Sequence, residues 1–171
     1  MFGQYALQGL GDLAFIEYLL GEFCPEAILE LGCGHGMLTA YLTVYKKLTG
    51  AKLLAVDTNL PLADAAVKAG VIDPACLYAK DMLQDLDKPI IEFVGLPKCL
   101  VLCDCANKPA VITKLGPHLS KGSVMAAHDW PFRYDVKCYK EPREFITTEY
   151  VTYLESESIE IGTDWRAWIK I

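Results

Sequence analysis

A chain of 171 residues that is 53% hydrophobic and 22% charged can bury one substantial core without disulfide staples or a structural metal. This balance excludes a disordered chain, and no apolar run reaches the roughly 18–20 residues that a membrane-spanning helix needs. The net charge of −6, from 22 acidic against 16 basic residues, disfavours nucleic acid, whose binders carry a basic stripe.

The densest basic segment, Lys137 to Arg143, is itself interrupted by Glu141. The opening MFGQYALQGLGDLAF has neither a basic n-region nor a continuous apolar h-region, so no signal peptide is expected. Seven cysteines, an odd number, lie scattered and partly within apolar runs such as KCLVLCD. There they behave as small hydrophobes, which points to a reducing, cytoplasmic setting.

In chain order, helical and strand patterns alternate. DLAFIEYLLGEF (12–23) sets Leu13, Ile16, Leu19, Leu20 and Phe23 on one helical face, and Pro25 ends it. AILEL (27–31) reads as a buried strand. A helix over 36–48 follows, striped by Leu38, Tyr41, Leu42, Tyr45 and Leu48 and closed by Gly50. KLLAV (52–56) is the second strand. Asn59 and Pro61 start a third helix that Gly70 closes. Next come a strand near 76–79, a helix within 82–95, a strand at 99–103, a helix over 108–116 and a strand at 123–127. The pattern over 142–155 is helical. Ile159–Ile161 and Trp165–Ile171 read as strands joined by a Gly-Thr-Asp turn.

Near-continuous apolar strands between helices predict an α/β fold, a Rossmann-like, doubly wound and mostly parallel sheet of seven strands. A C-terminal antiparallel β-hairpin should close one edge. No repeat or linker divides the chain, so residues 1–171 are expected to form a single domain.

Ligands of such sheets bind where strand order reverses, outside the carboxyl ends of the strands. The first strand runs into Glu30-Leu31-Gly32-Cys33-Gly34-His35-Gly36, a turn whose glycines permit tight bending and close approach. Its spacing differs from the G-x-G-x-x-G of dinucleotide binders, and Glu30 suits an amino-bearing ligand better than a pyrophosphate. Asp57 ends the second strand, where an acid commonly receives ribose hydroxyls. Asp81 and Met82 follow the third strand, Asp104 the fourth, and His128 and Asp129 the fifth. Five successive strand ends thus carry an acid.

This order resembles a class I S-adenosylmethionine-dependent methyltransferase over essentially the whole chain. The stretch from MFGQYALQGLGDLAFIEYLL through ILELGCGHGMLTAYL, and VLCDCANKPAVITKLGPHLSKGSVMAAHDW, are similar to the cephalosporin-hydroxylase-like group of small-molecule O-methyltransferases. The resemblance implies that Glu30, Gly32, Cys33, Gly34 and Gly36 line the methionine portion and sugar of the cofactor. It further implies that Asp57 and Thr58 hold the ribose, that Asp81 and the Met82 backbone address adenine, and that Asp104 faces both cofactor and reaction centre. Asp104, His128 and Asp129 are then the catalytic candidates.

Metal-using relatives coordinate a divalent cation with acids after the fourth and fifth strands, which makes Asp104 and Asp129 candidate ligands for Mg or Mn. This chain departs from that pattern near Asn107 and at His128, and His128 is also suited to act as a general base without metal. The spacing of Cys103 and Cys105 does not match structural zinc. Trp165 and Trp168 read as packing residues, and Trp130, Phe132 and Tyr134 as either an acceptor wall or core.

The expected partner is a small-molecule methyl acceptor, with neither membrane nor nucleic acid involved. The elements fill the chain from about residue 12 onward, leaving only the first ~11 residues and the 130–142 loop to cover a cleft. The acceptor site should therefore be open or completed by a second copy, and the apolar content also points to a homo-oligomer. Two other readings share the fold: an NAD-dependent oxidoreductase, and a cofactor-binding protein without transfer activity.

Overall fold

The computed structural model describes residues 9–82, 84, 86–105, 108–128, 149–161 and 163–171. Helix α1 (Leu10–Phe23) leads into β1 (Ala27–Leu31), α2 (Met37–Thr49) and β2 (Lys52–Asp57). A 3-10 turn at Leu60–Ala63 runs directly into α3 (Asp64–Lys68), and β3 (Leu77–Ala79) follows. Then come α4 (Lys88–Val94), β4 (Cys99–Cys103), α5 (Lys108–Leu115) and β5 (Val124–Ala127). The chain closes with β6 (Tyr150–Tyr153), α6 (Glu155–Ile161) and β7 (Arg166–Lys170).

The strands form one seven-stranded sheet in the order β3-β2-β1-β4-β5-β7-β6. Pairs β2–β3, β1–β2, β1–β4 and β4–β5 are parallel, while β7 runs antiparallel to both β5 and β6. Strand order reverses between β1 and β4, so a crevice opens beyond their carboxyl ends.

β1, β4 and β5 are buried along their whole length, which explains their unbroken apolar sequence. Side chains alternate between faces. Ala27, Leu29, Leu31, Cys99, Val101 and Cys103 pack under α4 and α5, with Ile90, Val94, Val111 and Leu115. Ile28, Leu100 and Leu102 pack under α1 and α2, against Phe15, Ile16, Leu19, Leu38 and Leu42. Trp165 lies wholly in this second layer and Trp168 in the first, both as packing residues.

The third helix is split, with Ala63 rather than Asn59 at the cap of α3. Leu48, at the end of the predicted α2 stripe, is exposed, and the buried face of that helix is Leu38, Thr39, Leu42 and Thr43.

The antiparallel pair at the edge is present, but its first strand is Tyr150–Tyr153 rather than Ile159–Ile161, which belongs to α6. The Gly-Thr-Asp segment therefore joins a helix to a strand. Ile159 and Ile161 alternate with Glu160 as a strand would, but α6 packs against α1, a contact that periodicity within the segment does not reveal. The predicted helix over 142–155 is replaced by strand from Tyr150, and its earlier part lies outside the described residues.

Candidate active site

The turn after β1 is built around close backbone approach. Gly32 has φ +89° and donates its N–H to the Val56 carbonyl at 2.8 Å. A Cβ placed on Gly32 would sit 2.5 Å from the Asp104 carbonyl oxygen and 2.9 Å from Cys105 Cα. The β1 and β4 ends thus touch through a residue that cannot carry a side chain. Gly36, φ +79°, caps α2, and a Cβ there would meet Ile72 Cδ1 at 2.6 Å. A Cβ on Gly34 would meet nothing within 4 Å, which places it on the open side of the turn, with exposed His35 beside it.

Asp57 ties this turn to β2. Its Oδ2 accepts from Gly34 N–H and its Oδ1 from Asn59 N–H, each at 2.9 Å. A carboxylate oxygen has two acceptor sites, so Oδ2 keeps one for a further donor, while Oδ1 also takes the Thr58 hydroxyl. Exposed Thr58 lies beside it, with its hydroxyl 3.5 Å from Asp57 Oδ1. After β3, Asp81 is half-buried at the rim, whereas the Met82 side chain belongs to the core. Only the Met82 backbone therefore remains for a ligand. Cys33 is also buried, and burial, aided by Glu30 and Asp57, pushes its thiol up to about 12, an inert wall residue.

Glu30 is the electrostatic anomaly of the fold. It sits within β1, 1% exposed, and its Oε2 has no hydrogen-bond partner among the described residues. Burial pushes its carboxyl up to about 8; the nearby Thr39 hydroxyl counteracts this, while the charges of Asp104 and Asp57 add to it. The buried Thr39 Oγ1 likewise lacks a partner within hydrogen-bonding geometry among the described residues. Glu30 Oε2 and Thr39 Oγ1 thus interact only weakly with each other, and buried polar atoms short of full hydrogen-bonding geometry are expensive unless a ligand satisfies them. A ligand amino group there would meet both the charge and the hydrogen-bonding need of Glu30.

A second cluster lies at the ends of β4 and β5. The Asp104 N–H donates to the Leu31 carbonyl, and the His128 N–H to the Cys103 carbonyl, at 2.8 and 3.1 Å. His128 Nδ1 lies 3.2 Å from Asp104 Oδ1, and its Nε2 lies 3.4 Å from Asp12 Oδ2. Its ring is tilted over Trp165 with centroids 5.1 Å apart. Asp12 is in turn held by the Thr163 hydroxyl and the Gly9 N–H. Although burial raises its pKa, these bonds and the charge of His128 hold it below the ordinary value of 3.8. Lys108 completes the set, with Nζ 3.4 Å from Asp104 Oδ1 and a side chain only 9% exposed.

Asp12, Thr163 and Lys108 do not stand out in the sequence. Asp12 looks like an ordinary first-turn helix acid, and 151 residues separate it from Thr163. A lysine opening α5 is a weak anomaly, because cations are disfavoured at a helix N-terminus. Asp12→Asn removes the carboxylate facing His128 Nε2 and Thr163. It is expected to lower stability by about 1–3 kcal/mol, seen as a reduced urea midpoint at unchanged slope. Because the folded pKa of Asp12 is depressed, its contribution is present above pH 3.8 and lost on acidification through the folded value.

Asp129, Asn107, Trp130, Phe132 and Tyr134 lie outside the described residues. Among the described residues no three His, Cys, Asp or Glu side chains gather as a metal-ligand set. Asp104 Oδ1 instead faces the Lys108 ammonium and the His128 imidazole. The described donors do not fit a divalent cation.

The sheet order and the glycine turn after β1 define a Rossmann-like, mostly parallel fold closed by an antiparallel pair. No protein-family model matches the chain, and no curated protein matches it significantly in sequence. Solved structures do match in fold. The apo structure of CmcI superposes with a TM-score of 0.72 at 17% identity, over 95% of this chain and 72% of that one. CmcI with Mg and SAM gives 0.70 at 18%, over 95% and 72%. A putative O-methyltransferase from Klebsiella pneumoniae gives 0.63 at 17%, over 98% and 83%. At such identities the likeness is one of fold. No described helix is long and apolar enough to cross a membrane.

Proposed function

We propose that this chain is an S-adenosylmethionine-dependent methyltransferase acting on a hydroxyl group of a small molecule. One observation carries the reading: a fully buried glutamate with an unpartnered oxygen, beside an open glycine turn, at the reversal point of the sheet. That pairing suits a ligand carrying both an amino group and a ribose. The chain residues fit the cofactor in order. Glu30 and Thr39 receive its amino group, and the Gly32–Gly36 turn passes beneath its sugar. Asp57 accepts a ribose hydroxyl with the lone pair left on Oδ2, and the Thr58 hydroxyl lies beside it. Asp81 and the Met82 backbone meet the adenine.

The bound cofactor supplies a methyl group on a sulfonium, already an active donor, so the protein's work is mainly alignment. With the cofactor held by Glu30, Asp57 and the glycine turn, the acceptor oxygen would take its methyl group and the cofactor would be left as a neutral thioether. The hydroxyl proton passes to the Asp104 carboxylate, while His128, held between Asp104 and Asp12, stays the imidazolium that orients that carboxylate. Asp129 is proposed as a further contributor at the same strand end. No step here runs through a metal.

A cytoplasmic location accords with the scattered cysteines. A homo-oligomer accords with the exposed apolar side chains Leu10, Tyr18, Val44, Leu48 and Val151. The acidic balance favours a small-molecule acceptor over nucleic acid.

Calorimetry with S-adenosylhomocysteine and with NAD tests the first step, and only the former is expected to bind. Transfer of labelled methyl from the cofactor to a panel of hydroxylated small molecules then tests activity. Binding without transfer to any of them would favour a cofactor-binding protein without catalysis, and binding of NAD alone an oxidoreductase. Asp57→Ala removes the ribose acceptor and is expected to weaken S-adenosylhomocysteine binding by roughly 10- to 100-fold, measured by the same calorimetry.

A further inference from the structure

The site that joins β4 to β5 contains its own cation. Lys108 is the first residue of α5, where the helix dipole opposes a positive charge. Its side chain is nevertheless almost wholly buried. Lysine is rarely buried unless paired, and here the ammonium lies 3.4 Å from Asp104 Oδ1, one turn back along the chain. The same oxygen lies 3.2 Å from His128 Nδ1. Asp104 is the residue that the resemblance offers as a divalent-cation ligand, and the described residues around it form no set of three metal donors.

A divalent ion bound at Asp104 Oδ1 would stand within a few ångströms of the ammonium, a like-charge contact that a low-dielectric site makes costly. A single positive charge suits the neighbourhood better, because the proposed methyl donor is itself cationic and brings a second positive charge to the same strand ends.

We propose that Lys108 is the resident cation of this site, compensating Asp104 in the place of a divalent ion, so that cofactor binding needs no metal. This inference rests on the methyltransferase reading. Lys108 acts through Asp104 and is a positioning residue.

The test uses the full chain. S-adenosylhomocysteine is titrated in EDTA and in millimolar MgCl2, and MnCl2 binding is read separately from the electron paramagnetic resonance of free Mn2+. The wild type is expected to bind S-adenosylhomocysteine with affinities within about twofold in the two buffers, and to take up no Mn2+ below millimolar concentration. Lys108→Met, similar in size but uncharged, is expected to bind at least about tenfold more weakly in EDTA and to regain part of that loss with MgCl2. Lys108→Arg keeps the charge and should behave as wild type.

Micromolar Mn2+ binding by the wild type, a tenfold gain from MgCl2, or unchanged affinity of Lys108→Met in EDTA would each overturn the proposal. If Lys108→Met does not fold, the wild-type titrations still decide. Failure of the wild type to bind S-adenosylhomocysteine in either buffer sinks the methyltransferase reading instead, and the Mn2+ titration then judges the inference alone.

Discussion

Replacing Glu30 with Gln should make the ligand-free protein more stable and, at the same time, nearly unable to bind the cofactor. The carboxyl of Glu30 has an ordinary value of 4.5 and is held at about 8 in the fold, chiefly by burial. Between these values the unfolded chain has released the proton while the folded chain retains it. Stability therefore falls as pH rises from 4.5 toward 8, and levels off beyond.

At pH 7 this costs on the order of 3 kcal/mol, which a neutral glutamine does not incur. Glu30→Gln should thus raise the melting temperature at pH 7 by roughly 5–10 °C and flatten its decline between pH 5 and 8. Removing one partner of a buried ion pair costs about 3–5 kcal/mol, so S-adenosylhomocysteine affinity should fall by roughly 10²- to 10⁴-fold. Wild-type binding near neutral pH should also release a proton, because the ligand ammonium favours the carboxylate. Calorimetry in buffers of different ionisation enthalpy reads that proton directly. A variant that is no more stable yet binds normally would remove Glu30 from the site.

Gly32→Ala carries the second large effect. The new methyl would lie 2.5 Å from the Asp104 carbonyl oxygen, a backbone atom that cannot turn aside, at a φ of +89° that L-residues avoid. The left-handed backbone alone costs about 1–2 kcal/mol, and forced overpacking a further 1–3. A loss of roughly 2–5 kcal/mol is expected, measured by urea unfolding. Because relief of the clash must push the β4 end away from β1, Asp104 moves with it. Cofactor binding should therefore drop even in the fraction that folds. Gly34→Ala is the matched control, since its Cβ meets no atom within 4 Å. It should lose stability only through the positive φ.

Much of this architecture is legible in the sequence because the buried strands AILEL and CLVLC are continuous apolar runs ended by turn residues. The acids at the strand ends are equally legible, since topology places every such residue at one edge of the sheet. The first strand of the antiparallel pair is not. Tyr150–Tyr153 forms only because β7 lies beside it, and the apolar content of its surroundings does not separate strand from helix.

By itself the sequence determined the doubly wound sheet, the glycine turn and the identities of Glu30, Asp57 and Asp104, because each depends on local periodicity or on position along the chain. Only the tertiary structure decided what surrounds Asp104. Asp12 arrives from α1, Thr163 from the far end of the chain and Lys108 from a helix start. Charge pairing falls steeply with distance and grows with burial. It is therefore set by which side chains meet in space, and residue spacing does not encode it.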